Sequence, residues 1–333
     1  MKNNLCSSII ISGIGTYQPH KILTNADLAQ MVDTSDEWII TRTGIKERRI
    51  ADKNETTSTM GVEAAKIALE RAKVSKDDID LLIVATLSPD MIFPATACLV
   101  QQQLGLKSIP CFDLQAACTG FLYALDVASK MMQAGDYKNA LIIGSEKMSS
   151  ILNWHDRSTC VLFGDGAGAV VLSKTNTPNV GIIDSILASD GGQADILCQP
   201  AGGSACPPTI ESISQGKHFL KMNGKEIFKY AVRLMEQVSN QILQKNNLTP
   251  DDIDIVIPHQ ANIRIIHALA TRLNIPIEKF IVNLDLVGNT SAASIPLALN
   301  EANEQNKLHK NKYVLLVAFG GGLTWGASLL KWF

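Results

Sequence analysis

One phrase occurs twice in the chain, and its recurrence restricts the fold more than any other feature. Asp77-Asp-Ile-Asp80 leads into the apolar run Leu81 to Ala85, and Asp251-Asp-Ile-Asp254 leads into Ile255 to Pro258, 174 residues further on. A second pair, Ala140-Leu-Ile-Ile-Gly144 and Tyr313-Val-Leu-Leu-Val317, stands 173 residues apart. Short, wholly apolar runs of this kind are strands buried on both faces. Two echoes at nearly one offset mark a duplicated α/β unit. Strand and helix signals alternate throughout, with no low-complexity segment or Pro/Ser-rich linker. The 333 residues are therefore read as two α/β halves, 1–175 and 176–333, long enough to bury substantial cores.

Charge and cysteine usage narrow the classes of function. A formal net charge of -2 gives no basis for nucleic-acid binding, so any charged partner must be met by a local patch. The seven cysteines are scattered, with no C-x-x-C or Cys/His spacing, which argues against a disulfide framework and against a metal site. Reduced thiols fit a cytoplasmic protein. Near the N-terminus Lys2 is the only charge, and the run Ile9 to Ile11 is closed by Gly13. That run is too short for a signal segment or a membrane span and is expected to be the first strand.

The candidate nucleophile lies in Asp113-Leu-Gln-Ala-Ala-Cys118-Thr-Gly-Phe-Leu-Tyr-Ala-Leu125. Ile109 to Leu114 reads as a buried strand, and Phe121, Leu122, Leu125, Ala128 and Met131 recur at helical spacing. Cys118 is thus expected at a helix N-terminus, where unpaired N–H groups and the helix dipole favour a thiolate. The alternative is a buried structural cysteine, the common state of cysteines in apolar runs. Adding the repeat offset to Cys118 lands on Ser291 in Gly288-Asn-Thr-Ser-Ala-Ala292, which predicts that two strand-to-helix junctions face one pocket. The Pro258-His259 turn is expected to enter that pocket. Cys118, His259 and Asn289 then admit two chemistries. In a cysteine hydrolase the His is a base oriented by the Asn; in a carbon–carbon condensing enzyme both donate hydrogen bonds to an enolate.

Other motifs carry less. Trp38 and Arg42 share one face of a predicted helix in Thr34 to Gly44, either as a core anchor with a solvated cation or as a clamp for a nucleotide. Gly164-Asp-Gly-Ala-Gly168 precedes a strand instead of following one, so it is a tight, closely packed turn and not a dinucleotide loop. Phe319-Gly-Gly-Gly322 lies between two strand-like runs, where an N–H could help bind an oxyanion or the turn could simply close a hairpin. Lys225, Lys229 and Arg233 recur every four residues on a helix from about Gly224 to Lys245, as a solvated face or as a docking patch for an acidic partner.

Seven phrases in order carry a resemblance over essentially the whole chain. They are Thr34-Ser-Asp-Glu-Trp38, Thr41-Arg-Thr-Gly44, Ala116-Ala-Cys-Thr-Gly-Phe121, Phe163-Gly-Asp-Gly-Ala-Gly168, Pro258-His-Gln-Ala-Asn262, Gly288-Asn-Thr-Ser-Ala-Ala-Ser294 and Phe319-Gly-Gly-Gly322. Together they resemble the β-ketoacyl-acyl-carrier-protein synthase III family of condensing enzymes. The resemblance implies a thiolase-like α/β fold whose duplicated halves form a five-layer αβαβα arrangement. It implies that Cys118 takes an acyl group, such as acetyl, from an acyl-CoA, and that malonyl-acyl-carrier-protein then decarboxylates and attacks the thioester. His259 and Asn289 would stabilise the enolate, and the N–H groups of Cys118 and Gly321 would form the oxyanion hole. Trp38, Arg42 and Arg157 would hold CoA, Phe93 would bound the primer pocket across a homodimer interface, and Lys229 and Arg264 would lie on the carrier-protein docking face. No cofactor is implied beyond the CoA thioester as substrate, and no nucleic-acid or membrane partner. Leu286 and Val287 depart from the family, which commonly has Arg followed by an aromatic residue or His just before Gly-Asn-Thr-Ser.

Overall fold

The computed structural model describes residues 8–333, and Lys2 lies outside the described residues. The apolar runs form two sheets. The first contains β1 (Ser8–Tyr17), β2 (Leu81–Ala85), β3 (Cys111–Leu114), β4 (Asn139–Glu146) and β5 (Gly166–Thr175), in the order β1-β5-β4-β2-β3. The second contains β6 (Gly181–Ser189), β7 (Ile255–Pro258), β8 (Tyr313–Gly320) and β9 (Thr324–Lys331), in the order β7-β8-β9-β6.

Both sheets repeat one connectivity. The first strand pairs antiparallel with the last (β1 with β5, β6 with β9), which pairs antiparallel with its predecessor (β4, β8), which runs parallel to an earlier strand (β2, β7). Register fixes the repeat more sharply than the sequence does. Leu81 lies opposite Ala140 and Ile255 opposite Val314, so both echoes have the single offset of 174, and Ala140 corresponds to Val314 and not to Tyr313.

Helices fill three layers around the sheets. Between them lie α4 (Gly120–Ala134) and α7 (Ser294–Glu304), whose Phe121, Leu125, Ile295 and Leu299 meet Ile83 and Ile142 on one side and Ile257 and Leu316 on the other. On the outer face of the first sheet, α2 (Thr57–Ala72) and α3 (Thr96–Leu104) cover Leu82, Val84 and Leu141. On the outer face of the second, α5 (Gly224–Lys245) and α6 (Ile263–Leu273) cover Leu315 and Val317. Neighbouring strand residues such as Ile83 and Val84 thus enter different cores, which is why these runs are apolar without alternation. Each such aliphatic side chain contributes about 1.5–3 kcal/mol on burial. The result is the five-layer αβαβα arrangement.

The two junctions face each other in the central layer. A 3-10 turn, Ala117–Thr119, precedes α4, and another, Ser291–Ala293, precedes α7. Each opens on a non-glycine residue in the left-handed region, Ala117 at φ 47° and Ser291 at φ 50°. These landmarks make Ser291 the mate of Ala117, so the mate of Cys118 is Ala292, one residue beyond the position the shorter offset indicates. A Cβ on Gly120 would lie 3.6 Å from the Ala292 Cβ, so the junctions are in contact.

Candidate active site

Cys118 is held by its neighbours' backbone. The turn is closed by Thr119 N–H and Thr119 Oγ1, both donating to the Ala116 carbonyl (3.1 and 2.7 Å), and Thr324 Oγ1 donates to the same oxygen at 3.0 Å. Only 5% of Cys118 is exposed. Burial pushes its thiol up to about 12; the Ser291 hydroxyl opposes this and the Glu146 charge adds to it. The resting group is therefore a thiol. Desolvation outweighs the helix terminus from which a thiolate was expected.

His259 follows β7, and its N–H continues the parallel ladder by donating to the Val317 carbonyl at 2.8 Å. Its Nδ1 lies 2.6 Å from Ser294 Oγ. Burial lowers its pKa from 6.5 to about 3, so the ring is neutral at physiological pH. The Asn289 backbone is stitched to the Phe163 loop: its N–H donates to the Leu162 carbonyl at 2.8 Å, and its own carbonyl accepts Gly164 N–H at 3.1 Å. A Cβ on Gly164 would stand 2.3 Å from the Val287 carbonyl, so the close packing expected of this glycine run is present, but Gly166 to Gly168 already belong to β5 and not to a turn. Asn289 Oδ1 accepts the Ser291 N–H at 2.9 Å, which leaves the amide Nδ2 as the donor available to a ligand.

These bonds separate the two chemistries left open by residue type. His259 is oriented by Ser294, while the Asn289 oxygen is engaged by Ser291, so Asn289 does not orient the ring as a hydrolase triad requires. Both side chains can instead direct N–H groups at one oxyanion.

Two cavities meet at Cys118. The smaller, about 100 Å³, is lined by Cys118, His259 and Asn289 together with Phe319, and extends to Phe228 and Asn262. The larger, about 710 Å³, is lined by Cys118 and Gly321 together with Leu87, Met91 and Ile92. The hairpin between β8 and β9 reaches the nucleophile closely, since a Cβ on Gly320 would lie 2.8 Å from Cys118 N.

The outlying predicted residues fall into three groups. Trp38 sits on α1 (Asp36–Thr43), with the guanidinium carbons of Arg42 and Arg157 4.6 and 5.3 Å from its ring centre. Asn262, which lines the smaller cavity, donates its side-chain N–H to the Arg42 carbonyl at 3.0 Å, tying this cluster to the cavity mouth. Lys229 is exposed and paired with Glu226 at 2.8 Å, and Arg264 lies 5.7 Å over the Phe228 ring. Phe93 is 83% exposed and does not line the larger cavity of the single chain; its neighbours Met91 and Ile92 do. Leu286 is half exposed and Val287 buried. Sequence reasoning missed Ser294 and Glu146. Only Glu146 left a signal, a carboxylate closing an apolar strand.

A buried cysteine at a strand-to-helix junction in a five-layer fold of two duplicated halves defines a thiolase-fold condensing enzyme. Residues 112–191 match the family model described as 3-oxoacyl-[acyl-carrier-protein (ACP)] synthase III, and residues 243–332 match its C-terminal counterpart. The chain is 52% identical over 328 residues (98% of this chain, 100% of the relative) to the β-ketoacyl-[acyl-carrier-protein] synthase III of Natranaerobius thermophilus. Against that of Caldanaerobacter subterraneus subsp. tengcongensis it is 50% identical over 330 residues (98% and 99%). The crystal structure of 3-oxoacyl-[acyl-carrier-protein] synthase III from Aquifex aeolicus VF5 matches with a TM-score of 0.91 at 49% identity, covering 98% of this chain and 100% of that one. The chain belongs to the β-ketoacyl-acyl-carrier-protein synthase III family, the acyl-transferring condensing enzymes that initiate fatty-acid synthesis.

Proposed function

We propose that the enzyme condenses an acyl-CoA primer, acetyl in the simplest case, with malonyl-acyl-carrier-protein. The observation that carries this reading is the meeting of two cavities at one sulfur: the larger has room for an acyl chain, and the smaller holds His259 and Asn289. In the first half-reaction the Cys118 sulfur attacks the thioester carbonyl, the carbonyl–sulfur bond to CoA breaks, and the cysteine proton ends on the departing CoA thiol. The developing oxyanion is held by the N–H groups of Cys118 and Gly321. In the second, the malonyl group loses carbon dioxide, and its carbanion attacks acyl-Cys118. The cysteine sulfur leaves as thiolate and is reprotonated from solvent. In this mechanism the Ser294 O–H is the hydrogen-bond donor to Nδ1, so the neutral His259 carries its proton on Nε2 and offers that N–H, with the Asn289 amide, to the enolate oxygen.

Trp38, Arg42 and Arg157 hold the CoA nucleotide at the mouth of the smaller cavity. Lys229 and Arg264 receive the carrier protein beside Phe228. The working unit is a homodimer, supported by the outer edge position of β3 and by exposed Phe93, which in this reading caps the partner's larger cavity. The halves 1–175 and 176–333 act as one catalytic unit, because the nucleophile comes from one and the enolate donors from the other. A cytoplasmic, cofactor-free enzyme is consistent with this chemistry. The test is a labelled acetyl-CoA assay with and without malonyl-acyl-carrier-protein. Expected are labelled Cys118 without it, and carbon dioxide release with a β-ketoacyl product when it is added. Acyl transfer without carbon dioxide would overturn the reading.

A further inference from the structure

Glu146 ends β4 and is wholly buried, apart from the three residues of the mechanism. Its Oε2 accepts from Ser88 Oγ (2.5 Å), Thr86 Oγ1 (3.0 Å) and Ser88 N (3.1 Å). Its Oε1 accepts from Ser291 Oγ (2.9 Å), Leu87 N (3.2 Å) and Ala292 N (3.4 Å). No Lys, Arg or His side chain is paired with it among the described residues. Burial raises the pKa of the Glu146 carboxyl, and the donors from Ser88, Ser291, Leu87 and Thr86 oppose that shift. Met by so many donors, both oxygens are engaged as acceptors, a role that a glutamine amide, bringing two N–H groups of its own, cannot fill.

The internal repeat explains the location. Glu146 and Gly320 are the last residues of β4 and β8, 174 residues apart in matching register, and Cys118 and Ala292 are mates at the two junctions. Gly320 therefore faces the Cys118 N–H as Glu146 faces the Ala292 N–H. At the catalytic junction the missing side chain leaves the N–H open to a substrate oxyanion. At the other, the Glu146 carboxylate occupies the corresponding place.

We infer that Glu146 is a positioning residue for decarboxylation: as a resident anion in the second, degenerate oxyanion site, it fixes the Ser291-Ala292 turn that aims Asn289. The link is direct. Ser291 stands in the left-handed region, which a serine adopts only where its surroundings hold it there. The N–H of that residue sets Asn289 Oδ1, and hence the direction of Nδ2. Loss of the carboxylate frees the turn and lets the amide rotate.

This inference rests on Asn289 acting on the enolate, and the experiment separates the two ideas. Glu146→Ala, Ser291→Ala and Asn289→Ala are assayed for Cys118 acylation and for carbon dioxide release from malonyl-acyl-carrier-protein. Glu146→Ala is expected to lose about a hundredfold in carbon dioxide release, the cost of a displaced catalytic group, and only a few-fold in acylation. Added formate should restore at least part of that release in Glu146→Ala and have no effect in Asn289→Ala. Ser291→Ala, a smaller perturbation that also serves if Glu146→Ala fails to fold, is expected to lose about tenfold in carbon dioxide release and less in acylation, where the loss comes from the hydroxyl that favours the Cys118 thiolate. Equal loss in both half-reactions, without formate rescue, would make Glu146 scaffold only. Impairment of Asn289→Ala with a normal Glu146→Ala would overturn this inference alone, whereas a normal Asn289→Ala would overturn the enolate role beneath it.

Discussion

Replacing Ser294 with alanine removes the hydroxyl 2.6 Å from His259 Nδ1 and little else, since the side chain is buried at the first position of α7. The ring stays neutral, but nothing then requires its proton to sit on Nε2. Part of the population presents a lone pair to the enolate oxygen, and a buried ring nitrogen loses its partner. Leaving such a group unsatisfied costs about 1–3 kcal/mol. Expressed at the enolate-forming transition state, that is roughly a five- to 150-fold slower decarboxylation. Carbon dioxide release from malonyl-acyl-carrier-protein is the assay, with Cys118 acylation as the internal control and Ser294→Thr expected to retain most activity. Release by Ser294→Ala within about twofold of wild type, less than one buried hydrogen bond, would refute the tautomer argument. The pH profile supplies an independent check. Because the pKa of His259 is lowered to about 3, carbon dioxide release should show no imidazole inflection near 6.5. The unfolded chain binds the proton more readily, so stability linked to His259 is full above about 6.5 and is lost as pH falls toward 3.

Three further outcomes are expected. With the Cys118 thiol raised to about 12 by burial, iodoacetamide labelling of free enzyme should keep accelerating past pH 9, and a plateau at or below pH 8 would contradict it. Lys229→Glu and Arg264→Glu should weaken use of malonyl-acyl-carrier-protein more than self-acylation, most at low salt, with the smaller effect at Lys229 because Glu226 already pairs with it; equal damage to both substrates would remove the docking role. Phe93→Ala should shift kcat/KM toward longer acyl-CoAs by about 1–3 kcal/mol per methylene admitted, and an unmoved chain-length profile would take Phe93 out of the pocket.

Much of this architecture was legible in the sequence because it rests on local patterns. Uninterrupted apolar runs gave buried strands, and the repeated Asp-Asp-Ile-Asp turn gave the duplication. The segment 57–72 carries local helix signals of the same kind, a capping Thr56 and Met60, Ala64, Ala65 and Ala68 along its buried face. Cys118 and His259 could be placed together because strand ends carry them, and Asn289 because the repeat puts its turn opposite Cys118, although a short helix, Leu284–Val287, stands before it where a strand was expected. The charge state of Cys118 was not legible, since burial is a property of the whole assembly and here outweighs the helix terminus. Ser294 was hidden for a similar reason: its partner His259 is 35 residues away, and a serine early in a helix has many ordinary uses. Phe93 shows the opposite case, a side chain whose motif suggests a pocket while its 83% exposure leaves that pocket to be completed by another surface.

The repeat also explains why one site works where the fold provides two. At the junctions, cysteine stands against alanine (Cys118 and Ala292) and glycine against glutamate (Gly320 and Glu146). Two residues before each left-handed position, glutamine stands against asparagine (Gln115 and Asn289). At the ends of the parallel strands, alanine, the last residue of β2, stands against histidine, the residue after β7 (Ala85 and His259). Each difference gives a function to one side only. In the proposed mechanism the first half supplies the sulfur and the open Cys118 N–H that faces Gly320, and the second supplies the two enolate donors, while its Ala292 N–H is met by the Glu146 carboxylate of the first half. A symmetric pair would place a nucleophile and a donor set at both junctions, which lie in contact and could not each admit a thioester. In that mechanism, dividing the parts lets acyl transfer and decarboxylation share a single sulfur, with the primer on one side and the extender on the other.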